Sequence, residues 1–293
     1  MEKSGSNVIA PQQVVMANMQ AAKGKTEASA LRLILLGMFA GMFIAGGASV
    51  SNVAVHAIAN AGVAKLVAGA IFPVGLMLII LVGGELFTGD CLMVMGCAQG
   101  KFSALQMVKV LVIVYFSNLA GAVLFAAMVS ATGQFNLSSG LLGAYTIKVA
   151  MGKLGLSFGQ AFVSGILCNI FVCAAVLLAA ASKDVVGKIW GVFFPIMTFV
   201  VCGFEHCVAN MYYIPAAMMA VGNETYAFVA MEAYGYTAAQ LSTVNLVNFI
   251  TRNLIPVTLG NIVGGMVFIG LPLFLIHGKA IKASEEAAAS AKN

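Results

Sequence analysis

The chain has 293 residues, of which 61% are hydrophobic and 9% charged, with a mean hydropathy of +1.00 and a formal net charge of +5. These values lie far outside globular usage, and so few charged side chains cannot cover that much apolar surface in water, which excludes an ordinary soluble domain. A bilayer removes that requirement and demands instead that every backbone group be satisfied inside helices.

Residues 1–30 are polar and contain Pro11, Lys23, Lys25 and Glu27, so the first apolar run starts too late for a signal peptide, and insertion is expected to rely on the spans themselves. Val14, Val15, Met19 and Ala22 give this segment a weak amphipathic pattern, expected as a simple interfacial helix. A span needs about 20 apolar residues, and six segments qualify: 31–57, 64–98, 104–133, 157–182, 188–220 and 246–277. Their runs are continuous, without an alternation of period two, which speaks against strands. The second and fifth are too long for one smooth helix and hold acidic residues mid-way, Glu85 and Asp90 in one and Glu205 in the other. Both are expected to be interrupted. Residues 221–245, with Glu224, Glu232 and the run Tyr234-Gly235-Tyr236, are expected as an outer loop with an interfacial helix, and 278–293 as a C-terminal tail.

Short cytoplasmic loops are enriched in Lys and Arg. With both termini inside, Lys3, Lys23, Lys25, Arg32, Lys101, Lys109, Lys183, Lys188, Lys279, Lys282 and Lys292 fall on or near the cytoplasmic face, against Lys65, Lys148, Lys153 and Arg252 outside. The expected location is therefore a plasma (inner) membrane, with multiple passes and both ends in the cytoplasm.

The third and sixth spans share a pattern, Ser117-Asn118-Leu119-Ala120-Gly121 and Gly260-Asn261-Ile262-Val263-Gly264. The second and fifth share another, a Gly and a Glu at mid-span in Gly84-Glu85 and Gly203-Phe204-Glu205, preceded by Gly41 and Gly165 respectively. The chain thus reads as two copies of a three-span unit, about 31–133 and 157–277. Three is odd, so the second copy is inverted and the two breaks face each other across a pseudo-twofold axis. Half-helix N-termini directed at the midplane carry partial positive charge and favour an anion there. Glu85 and Glu205 are expected to hold the backbone N–H groups freed by the breaks, while Gly41, Gly46, Gly47, Gly121 and Gly264 let helices approach. His206, beside Glu205 in a Gly-flanked break, is the leading functional side chain; His56 and His277 lie at span ends.

These residues closely resemble the formate/nitrite transporter family over nearly all of 31–277. The most specific pieces are Gly84-Glu85-Leu86-Phe87-Thr88-Gly89, the run from Gly203 to Met211, and the run from Asn253 to Asn261. The resemblance implies an all-α, aquaporin-like protomer with an inverted 3+3 repeat, a homopentamer with one pore per protomer, a pore histidine at His206, and apolar constrictions at Phe72, Leu76, Leu86, Phe87, Val172 and Phe199. In the family, a segment like residues 8–22 covers the cytoplasmic mouth.

An anion crossing an apolar constriction suffers a desolvation cost of many kcal/mol. Lys148 is expected to concentrate the anion in a positive vestibule, and Thr88, His206 and Asn261 to receive it, with Asn118 as helix glue and Asn169 a further polar group at membrane depth. His206 is expected to supply a proton, so that a neutral acid passes. Formate leads as the anion, nitrite follows, and hydrosulfide, acetate and lactate stay open. The expected partners are protons, the bilayer and further copies of the chain, with no nucleic acid.

Two other classes compete with this reading. A membrane enzyme would need a nucleophile-base pair or a metal cluster, yet the chain has three histidines and no cofactor motif, and its six cysteines lie in apolar stretches without a CxxC pair. No cofactor and no metal are expected. A neutral-solute channel of the water or glycerol type is the better rival, and its flux would be independent of pH and membrane potential.

Overall fold

Helix starts are set by local capping. Ser103 and Ser157 each accept from the N–H three residues on, and Gln106 and Gln160 reach back to complete capping boxes. A computed structural model describes residues 8–290, so Lys3 and Lys292 fall outside the described residues. The helices are α1 (Pro11–Glu27), α2 (Ala30–Val55), α3 (Ala61–Val82), α4 (Phe87–Ala98), α5 (Ala104–Ala131), α6 (Leu141–Leu154), α7 (Phe158–Ala181), α8 (Val185–Cys202), α9 (Cys207–Val221), α10 (Glu224–Tyr234) and α11 (Leu246–Ser290). Six of them, α2, α3, α5, α7, α8 and α11, are long and apolar enough to cross a membrane.

The predicted second span is α3 plus α4 and the fifth is α8 plus α9, each parted by a short non-helical stretch at Gly83–Leu86 and Gly203–His206. Three elements differ from expectation. Helix α6 lies in the connection between the third and fourth spans, where the apolar pattern predicts no element; Tyr226 of α10 packs on it so closely that a Cβ at Gly143 would stand 2.6 Å from the ring. The tail expected at 278–293 is helical over its described part, since α11 runs without a stop as far as Ser290. Helix α1 buries Val14, Val15, Met19 and Ala22, the four residues of the amphipathic stripe, but buries them against protein. Val15 and Met19 cluster with Leu92, Met95, Cys173 and Ile281, so the helix is docked across the chain's own face. Gln99 donates to the Gly278 carbonyl and Lys101 pairs with Glu285 on that same side, which places α1 and the end of α11 together on one face, the termini face.

Small residues at crossings let the spans touch through backbone. A methyl at Gly121 of α5 would run into the Met38 carbonyl of α2, and one at Gly264 of α11 into the Ile166 carbonyl of α7. These two crossings are repeat mates. Gly121→Ala must push two rigid helices apart, so a loss of about 1–3 kcal/mol is expected, read as a lower unfolding temperature in detergent. Within α11, two wide π-helical stretches, Phe249–Leu254 and Val263–Gly270, bracket Ile255–Ile262. Such turns commonly mark functional positions; here the first contains Asn253 and the two bracket Asn261, both fully buried. All six cysteines are free thiols.

Candidate functional site

Each break begins at a glycine with positive φ, Gly83 at 115° and Gly203 at 75°, a region that costs glycine little and other residues more. Leu86 (φ −110°, ψ 118°) and His206 (φ −111°, ψ 116°) then precede the second half-helices in matching conformations. Gly83, rather than Gly84, is therefore the mate of Gly203, and Leu86 is the mate of His206.

The freed backbone groups are held by two asparagines. Asn118 accepts the Phe87 N–H (3.0 Å) and donates to the carbonyls of Glu85 (2.9 Å) and Gly37 (2.8 Å). Asn261 does the same in the other half, accepting from Cys207 N–H (2.9 Å) and donating to Glu205 O (3.0 Å) and Gly165 O (2.7 Å). Three expectations differ from what the hydrogen bonds show. The carboxylates do not hold the break N–H groups, because a break leaves both donors and acceptors open and a carboxylate can only accept, whereas an amide does both. The glycine matching Gly165 is Gly37, one helical turn before Gly41. Asn261 spends both ends of its amide on backbone, so it braces the break instead of standing free at the centre. Asn118, read as helix glue, is its counterpart.

The two carboxylates are held by lysines, which an ion buried at this depth requires. Lys153 of α6 lies 2.9 Å from Glu205 and 5.1 Å from the Tyr213 ring centroid. Asn210 donates to Glu205 Oε2 (2.7 Å) and to Asn253 Oδ1 (2.7 Å), and Asn253 donates to Glu205 (3.2 Å), so the ion sits in a closed network. On the termini face Lys25 of α1 reaches both Glu85 (2.6 Å) and Asp90 (2.5 Å). Burial pulls the Lys25 pKa down, but Asp90 and Glu85 outweigh it, and the ammonium is held more firmly than an ordinary lysine. The sequence alone points to no role in the site for Lys25, Lys153, Asn210 or Asn253. The signal that was available is the demand of each buried Glu for a cation.

Between the breaks, His206 Nε2 and Thr88 Oγ1 stand 2.9 Å apart, with both residues buried. Nδ1 accepts the Ala209 N–H at 3.0 Å and caps α9, so the neutral ring carries its proton on Nε2 and donates it to Thr88. The imidazole stacks on Phe199 at 5.9 Å, and Phe199 meets Phe72 edge-on at 5.7 Å. A cavity of about 400 Å³ opens over His206, Phe72 and Phe199 towards the face opposite the termini, with Lys65, Lys148 and Lys153 in its lining. Lys148 stands 4.6 Å from the Tyr234 ring centroid. A second cavity, about 90 Å³, lies on the termini side; Leu76, Leu86, Glu85 and Asp90 line it, and Lys25 and Ala22 of α1 cover it.

Phe72, Phe199, Leu76 and Leu86 thus separate two vestibules. Phe87 turns the other way, onto Tyr115 at 4.8 Å, and Val172 is buried in the core without lining either cavity. Asn169 donates to Thr88 O (3.1 Å) and Asn261 O (2.6 Å), tying one half to the other.

The family model for formate/nitrite transporters matches residues 12–275. The chain belongs to that family. It is 38% identical to a probable formate transporter of Methanothermobacter thermautotrophicus over 90% of this chain and 96% of that one. It is 37% identical to the formate channel FocA of Escherichia coli K12 over 74% and 75%. Among solved structures, a pentameric formate channel with formate bound is 39% identical with a TM-score of 0.75, covering 85% of this chain and 97% of that one. The family is one of transporters, and the six-span, twice-broken fold agrees with it.

Proposed function

We propose that this chain is a formate channel of the plasma membrane, with both termini in the cytoplasm, in which passage is linked to protons through His206. The observation that carries the reading is the 2.9 Å contact of His206 with Thr88 between two vestibules that apolar side chains keep apart. An ionised carboxylate in such a constriction costs on the order of tens of kcal/mol, which neutralisation avoids.

The steps follow from the donors present. Lys65 and Lys148 gather the anion in the outer vestibule. Thr88, already accepting from Nε2–H, turns its own hydroxyl proton to the anion. The negative charge now beside the ring raises its proton affinity; a proton enters at Nδ1, at the cost of the Ala209 bond, and another leaves from Nε2 by way of Thr88. The anion thereby becomes the neutral acid, crosses Phe72, Phe199, Leu76 and Leu86, and ionises again on the far side; Nε2 then takes up a proton from the outer vestibule, which also supplied the one at Nδ1, and Nδ1 gives its proton back there, so that the resting tautomer and the Ala209 bond return and one proton has crossed with each anion. Asn261 and Asn169 act as braces that hold this pair in register. Assembly as a homopentamer with one passage per subunit is part of the reading, supported by the similar pentameric formate channel.

The substrate is tested by loading proteoliposomes and comparing uptake of formate, nitrite, hydrosulfide, lactate and glycerol. Formate is expected to pass fastest and glycerol not at all. Glycerol passage with no effect of pH would contradict the reading and establish a neutral-solute channel.

A further inference from the structure

The two mouths of the passage carry matching ion clusters with unequal charge. On the outer side, Glu205, Lys153 and Asn210 sum to zero. On the termini side the repeat mate of Asn210 is Asp90, so Lys25, Glu85 and Asp90 sum to minus one when all three are ionised. Both carboxylates touch one ammonium, so their nearest oxygens lie within about 5 Å of each other. Asp90 is 2% exposed, its second oxygen Oδ2 has no hydrogen-bond partner, and the residue lines the 90 Å³ cavity through which an anion would pass. Two carboxylates this close that share a single cation in a largely buried site do not both stay ionised. The other titratable groups facing Asp90 are thiols, Cys91 on its own helix and Cys173 from α7, and neither supplies positive charge.

We propose that Glu85 and Asp90 hold one proton between them, forming a second protonation site at the cytoplasmic mouth that keeps this cluster neutral and therefore open to an anion. Loss of that proton leaves a net negative charge at the entrance and turns anions away from this side only. The consequence for transport rests on the anion reading above; the shared proton does not.

Infrared difference spectroscopy on the full-length protein in lipid tests it without a transported solute. Near neutral pH the wild type is expected to show the carbonyl stretch of a protonated carboxylic acid, shifted in heavy water and lost at alkaline pH. Asp90→Asn removes one of the two carboxyl groups that share the proton, so the band disappears. Asn210 in the mirrored half shows that this fold accommodates an amide there, and Glu85→Gln gives a second variant with the same expected loss. Lys25→Met leaves the pair without its cation, so the band persists to higher pH. Absence of the band in the wild type, its retention in Asp90→Asn, or its loss in Lys25→Met would each overturn the proposal. A band that behaves as expected in a protein carrying no formate would leave the proton site standing and remove only the transport reading.

Discussion

Lys153→Met is expected to destabilise the protein by about 3–5 kcal/mol, the usual cost of leaving a buried ion without its partner. Glu205 is 4% exposed, and its other contacts, Asn210 and Asn253, are neutral donors that cannot balance its charge. The loss should appear as a fall in unfolding temperature in detergent and as poor monodispersity. Adding Glu205→Gln in the same chain removes the stranded charge while keeping an oxygen for Asn210 and Asn253, so most of the stability should return. If the double variant is as unstable as the single one, Lys153 acts through packing on Tyr213 and not through charge.

Asn261→Leu should be nearly as damaging. It strands the Cys207 N–H and the carbonyls of Gly165 and Glu205 at membrane depth, and each unpaired buried group costs about 1–3 kcal/mol. Asn118→Leu strands the corresponding three groups of the other half, so the two variants should lose similar stability. Circular dichroism melts of both check this. A stable Asn261→Leu protein that has lost only formate flux would mark Asn261 as a ligand of the anion instead of a brace.

Much of this architecture is legible in the residues. Membrane helices are coded by unbroken apolar length, and the breaks by a glycine and a glutamate where neither belongs, so both features stand out against the surrounding spans. The small-Asn-aliphatic-small-Gly pattern correctly paired Asn118 with Asn261. What it could not give was the register between halves: Gly37 and Gly41, one turn apart, look alike as small residues, and so do Gly83 and Gly84, and only the hydrogen bonds distinguish them. Helix α6 escaped because Leu141–Leu154 is too short to cross a membrane and lies in a connection. The lysines escaped for a different reason. Lys25 lies 60 residues before Glu85 and Lys153 lies 52 before Glu205, and a partner at that separation is fixed by tertiary packing alone. Phe87 shows the converse limit, for its place in the break aligned it with the constriction while its ring packs against Tyr115.

The site rests on one pairing, that of His206 with Thr88 across two inverted halves. The measurement that bears on it most directly is formate uptake into proteoliposomes over a pH series, for the wild type and His206→Asn, with the internal pH followed by a trapped dye. Wild-type uptake should rise as the external pH falls and should carry protons inward with formate. In His206→Asn that pH dependence should vanish. A pH dependence identical in the two proteins would contradict a proton path through His206.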